Sequence, residues 1–101
     1  MIAFYSVKND LDHISFVNEA NKWFPILTAK YNFSYDSTNN WDNLNLQFLS
    51  QYQIVIFLDS RPDSIEHRNA FKEYMTNGGG WIGFHFAGFA LNNSLYPQNW
   101  D

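Results

Sequence analysis

The run Ile54-Val55-Ile56-Phe57-Leu58, closed by Asp59-Ser60, decides the fold. It has no polar face, and a strand of that kind must be covered on both sides, as the central strands of parallel sheets are. Downstream, Asp63-Ser64-Ile65-Glu66 has capping-box spacing: Asp63 accepts from the backbone at Glu66 and Glu66 reaches back. Ala70, Phe71, Tyr74 and Met75 then form one helical stripe, Gly78 stops the helix, and Trp81-Ile82-Gly83-Phe84 reads as a further strand.

Upstream, Ile2-Ala3-Phe4-Tyr5 is a short β-branched and aromatic run that ends at Ser6, which predicts the first strand. Asp12 is placed to cap a helix carrying Ile14, Val17, Phe24 and Leu27 at helical spacing, and Pro25 is predicted to kink or shorten it. Asn32-Phe33-Ser34-Tyr35-Asp36-Ser37 alternates polar and aromatic residues and suits an edge strand. Leu44, Leu46, Phe48 and Leu49 predict one or two helical turns. Strands alternating with helices produce right-handed parallel crossovers and an α/β layer fold.

With 101 residues the chain holds at most one domain and one core. Charged residues make up 16% and hydrophobic ones 46%, so the chain is globular and not disordered. The net charge is −4, and Lys8, Lys22, Lys30, Arg61, Arg68 and Lys72 are dispersed, which argues against nucleic-acid binding. No cysteine is present, which removes disulfides, a thiolate nucleophile and Cys-ligated zinc. The N-terminus lacks a basic, apolar leader and no stretch approaches membrane-spanning length, so the chain reads as a soluble, cytoplasmic protein without membrane contact. Phe4, Phe16, Phe24, Phe57 and Phe71 sit in apolar runs and are assigned to the core; Trp41, Tyr96 and Trp100 lie in polar loops and suit either stacking on a sugar or contact with a partner surface.

In an open parallel sheet all strands end along one edge, and ligands bind there. Ser6, Asp59 and His85 stand at three such ends; His13, in the first helical turn, and Asp10, before it, face the same edge. In a 2-1-3-4 strand order the three ends are neighbours, about 4.8 Å apart from strand to strand.

Gly78-Gly79-Gly80-Trp81-Ile82-Gly83 matches G-x-G-x-x-G in spacing, but it closes a helix and opens a strand, the reverse of a dinucleotide site. No nucleotide cofactor is expected. His85 occupies the place of a nucleophile after a strand, where a histidine serves as general base, metal ligand or hydrogen-bond donor. A divalent metal on His13 and His85 would need a further ligand, with Asp10 or Asp59 available. His67 is assigned to the solvated face of its helix. A Ser6-His85-Asp59 triad lacks the G-x-S-x-G context.

The sequence Phe57-Leu58-Asp59, the helix end Tyr74-Met75-Thr76-Asn77-Gly78-Gly79-Gly80, the strand end Gly83-Phe84-His85-Phe86-Ala87 and the early Asp12-His13-Ile14-Ser15-Phe16 together resemble the trehalose-utilisation (ThuA-like) family. The resemblance implies a three-layer α/β/α, flavodoxin-like fold of the class I glutamine amidotransferase-like superfamily. In that superfamily the elbow carries cysteine in G-x-C-x-G; His85 holds its place here, which excludes thiolate glutaminase chemistry. Domains of this family are longer, so residues 1–101 are expected to be a single, truncated domain.

Two functions follow. One is carbohydrate (disaccharide) metabolism: a sugar-like small molecule is bound or processed at the carboxyl edge, with His85, His13 and Asp59 as catalytic candidates and Ser6, Asp10, Tyr96 and Trp100 as substrate-binding ones. The other is a non-catalytic α/β binding or assembly module that uses the crevice for regulation or for assembly with another subunit, a homo-oligomer among the options, with the surplus aromatics forming the interface.

Overall fold

The computed structural model describes residues 1–8 and 10–88. Strand β1 (Ile2–Phe4) leads into helix α1 (Leu11–Tyr31), then β2 (Asp36–Thr38), a 3₁₀ turn (Trp41–Asn43) and the short α2 (Leu46–Leu49). Next come β3 (Ile54–Phe57), α3 (Ile65–Thr76), β4 (Gly80–Gly83) and a 3₁₀ turn (His85–Gly88). The four strands are all parallel in the order β2-β1-β3-β4, the flavodoxin-like arrangement, with β1 and β3 central.

Side-chain alternation along the strands divides the core into two layers. Ile2 and Phe4 of β1 and Val55 and Phe57 of β3 face Leu44, Leu49, Phe71 and Tyr74. Ala3, Ile56 and Leu58 face Val17 and Ala20 of α1. The register Ile2↔Val55 and Phe4↔Phe57 puts like faces side by side, and the Phe4 and Phe57 rings meet edge-on at 6.2 Å. Burying each such side chain contributes about 1.5–3 kcal/mol, so these strands anchor the fold.

Several local expectations shift. Asp10, not Asp12, caps α1, its side chain accepting the His13 N–H at 3.1 Å. Ser64, not Asp63, caps α3, accepting the His67 N–H at 3.2 Å. Pro25 does not shorten α1, which continues to Tyr31. Buried Val17, Ala20 and Thr28 lie on both sides of the proline, and their packing outweighs its local cost. The edge strand β2 starts at Asp36, four residues later than its alternating pattern suggests; Tyr35 instead stacks on Phe24 at 5.1 Å and donates its hydroxyl to Asn21 Oδ1. Trp41 also belongs to the protein interior: it packs on Phe4 and Phe57 and donates Nε1–H to the Tyr5 carbonyl at 3.2 Å.

The end of α3 follows the glycine pattern closely. Gly78 has φ 93°, its N–H donates to the Met75 carbonyl, and the Gly79 N–H donates to the Tyr74 carbonyl, the paired bonds of a Schellman motif. The Gly80 N–H then bonds the Gln53 carbonyl and begins β4. This turn sends the chain back through the sheet so that β4 ends at the same edge as β1 and β3.

Candidate active site

The site is built on the two loops that leave β1 and β4. After β1 the backbone enters the left-handed region at Val7, φ 50°, a costly conformation for a β-branched residue. The fully buried Asp59, just past β3, holds it there. One carboxylate oxygen of Asp59 accepts the Ser6 N–H at 2.7 Å; the other accepts the Val7 N–H at 2.7 Å and the Ser6 hydroxyl at 3.2 Å. Charge-assisted bonds of this length are among the stronger ones available to a protein. The bend they fix sets the entry of α1, so Asp10 caps the helix and His13 lies one turn in.

After β4 a second left-handed residue appears, His85 with φ 38°. Nδ1 of His85 stands 3.3 Å from Nε2 of His13, across 72 positions of sequence, and the two rings stack at 5.5 Å with 28° between their planes. On the other side of His13, Nδ1 lies 2.9 Å from Asp10 Oδ1. The hydrogen bond from the His13 ring, followed by the one from its backbone N–H, holds the Asp10 carboxyl below the ordinary aspartate range. Strained non-glycine backbone at loop ends of this kind concentrates at functional sites.

These groups open on a cleft of about 400 Å³. Asp10, Asp12, His13 and Phe16 line it from the α1 side, Leu58 from the end of β3, and Phe84 and His85 from the end of β4. The Phe16 and Phe84 rings meet at 5.1 Å and form an apolar wall beside the histidine pair.

The structure therefore unites three sequence-derived candidates, Asp10, His13 and His85, in one cleft. Ser6 and Asp59 are bound to each other behind it, where they hold the loop. Tyr96 and Trp100 lie outside the described residues. Sequence reasoning missed Phe16 and Phe84 as lining residues; Phe16 follows His13 by three positions and so shares its helical face, a signal that was readable. His67 is not a solvated surface residue: its side chain is only 19% exposed, and Nε2 lies 3.2 Å from Asp42 Oδ1. Among the described residues no group of three His, Cys, Asp or Glu side chains is placed to hold a metal ion. No helix among them is long and apolar enough to cross a membrane.

Residues 2–100 match the ThuA family, described as trehalose utilisation. The chain belongs to the ThuA family. The crystal structure of a ThuA-like protein from Bacteroides uniformis superposes with a TM-score of 0.89 at 31% sequence identity, covering 97% of this chain and 40% of that one. No curated protein matches. ThuA membership ties the chain to carbohydrate use at the level of the family, and the chain spans less than half the length of its structural relative.

Proposed function

We propose that this ThuA-family chain binds, and in the intact protein processes, a sugar-like small molecule at the carboxyl edge of the sheet, with His85 as base or ligand. The observation that carries the reading is the pairing of His13 with His85 at 3.3 Å on the rim of an aromatic-walled cleft. The face of a sugar ring is rich in C–H groups and packs on phenyl rings, which Phe16 and Phe84 supply. Its hydroxyls need convergent polar partners, which Asp10, Asp12 and the two histidines offer. A volume of about 400 Å³ suits a small ligand. Ser6 and Asp59 serve this site by holding the loop that carries Asp10 and His13.

Thermal-shift measurements with trehalose and a panel of mono- and disaccharides, on the wild type and on His85→Ala, test the reading. A sugar that raises the wild-type melting temperature should lose that effect in the variant, with the circular dichroism spectrum unchanged. An equal shift in both proteins removes His85 from the site.

One observation favours a non-catalytic assembly role beside it. Ile82 of β4 is 43% exposed and Phe16 is 36% exposed, an apolar surface at the sheet margin suited to a homo-oligomer. Light scattering separates the two: a monomer that responds to sugar supports the first, and an obligate oligomer without that response supports the second.

A further inference from the structure

The contacts between Asp10, His13 and His85 favour one placement of the ring protons. An ionised carboxylate only accepts, so the 2.9 Å contact between Asp10 and His13 puts a proton on Nδ1 of His13. Neutral imidazole carries one N–H, so Nε2 of neutral His13 is an acceptor. The 3.3 Å contact with His85 then takes its proton from Nδ1 of His85. In that tautomer the lone pair of His85 is on Nε2. The reverse assignment, with neutral His13 protonated on Nε2, would set a bare nitrogen against a carboxylate at 2.9 Å and is repulsive.

We propose that Asp10 and His13 are positioning residues that act through His85, fixing it as the tautomer whose Nε2 accepts a proton from a ligand hydroxyl in the cleft. This rests on the sugar-site reading above. As the ligand O–H bond breaks, its proton bonds to Nε2 of His85, and the Nδ1 proton of His85 passes to Nε2 of His13. His13 is then an imidazolium with a proton on each nitrogen, still donating Nδ1–H to Asp10, and the ligand is an alkoxide. One positive charge on the histidine pair balances one negative charge on the ligand, and Asp10 is never protonated. Among the described residues, those that line the cleft with the pair are Asp10, Asp12, Phe16, Leu58 and Phe84, and the carboxylates among them stand on the α1 side, with Asp10 in contact with His13.

Long-range proton–nitrogen NMR of the imidazole rings in the full chain at alkaline pH reads the tautomers without any ligand; His67→Gln assigns the third ring. The expected result is Nδ1–H on both His13 and His85. Asp10→Ser, which keeps a capping hydroxyl, should release His13 to a mixture of tautomers and displace the His85 ring signals. A wild-type spectrum with His85 as the Nε2–H tautomer overturns the proposal. If a sugar binds in a His85-dependent way but that spectrum is found, the relay falls and the sugar site stands. If the tautomers are as stated but no sugar binds, the sugar-site reading falls and takes the proton transfer with it.

Discussion

Asp59, at the end of β3, accepts the backbone N–H of Val7, at the end of β1, at 2.7 Å from a fully buried carboxylate. The bond joins two neighbouring central strands at the edge where the cleft forms. It also holds a residue in a conformation that its side chain opposes. Asp59→Ala leaves the Ser6 and Val7 N–H groups without their acceptor, at a cost of about 3 kcal/mol. Urea unfolding should show that loss, and the His13 and His85 backbone resonances should move with it. A variant within about 0.5 kcal/mol of the wild type would show that the clamp contributes little.

Two adjacent glycines should differ in what they tolerate. Gly78, φ 93°, has open space where a Cβ would stand, so Gly78→Ala carries only the backbone cost, about 1 kcal/mol. A Cβ on Gly79 would overlap the Tyr74 ring, whose hydroxyl donates to the Tyr52 and Gly80 carbonyls. Gly79→Ala should therefore cost about 2–3 kcal/mol, because a buried ring has to move. Equal denaturation midpoints for the two variants would contradict this steric account.

Pro25 is exposed within a helix that runs on past it. Alanine at that position restores a backbone donor and removes the ring's clash, a gain of about 3 kcal/mol, offset by about 1 kcal/mol from the freer unfolded chain. Pro25→Ala should raise stability by about 1–2 kcal/mol in thermal or chemical unfolding. A destabilised variant would mean that the proline ring's own packing or rigidity outweighs the missing donor.

Acid should act on the cap of α1. The hydrogen bonds from His13 lower the Asp10 pKa in the folded protein, so the stability they supply is present above the unfolded aspartate value of ~3.9 and is lost as pH falls through the lower folded value. Carbon-detected NMR titration of Asp10 should place its midpoint below that of a free aspartate. A midpoint at or above it would remove the His13 contact as described.

Base should act further along the helix, where Tyr35 packs on Phe24 and bonds Asn21. Burial, reinforced by Tyr5, pushes the Tyr35 hydroxyl up to about 12. A raised folded pKa means stability that is whole below the unfolded tyrosine value of ~10 and declines as pH climbs toward 12. Tyr35→Phe should lessen the loss of stability between those limits. An unchanged alkaline profile would place the effect elsewhere.

The sheet was legible because its central strands have no polar face, and the Asn77-Gly78-Gly79-Gly80 stop was legible because helix termination there needs a left-handed residue. The shared edge of His13 and His85 followed from the parallel alternation of strands and helices. The 2-1-3-4 order entered only as a condition, because handedness sets the face of a crossover helix and not the order of the strands. What could not be read was which way each polar group turns. Asp59 and His85 both end strands, yet one carboxylate turns inward to backbone donors and one imidazole stands on the rim. The capping residues shifted because several candidates lie within a turn, Asp10 and Asp12 or Asp63 and Ser64, and the incoming strand decides between them. Phe16 was assigned to the core on periodicity alone, while α1 covers only part of its sheet face and leaves that ring on the cleft.

The position of β4 has a consequence for solution behaviour. Among the described residues it is an outermost strand, so one row of its amides and carbonyls has no described partner strand, and Ile82 is uncovered beside them. Such a margin is a template on which another extended peptide can add. Handled in isolation at high concentration, residues 1–101 should tend to associate through this margin, and a lysine at Ile82 should improve recovery of soluble material.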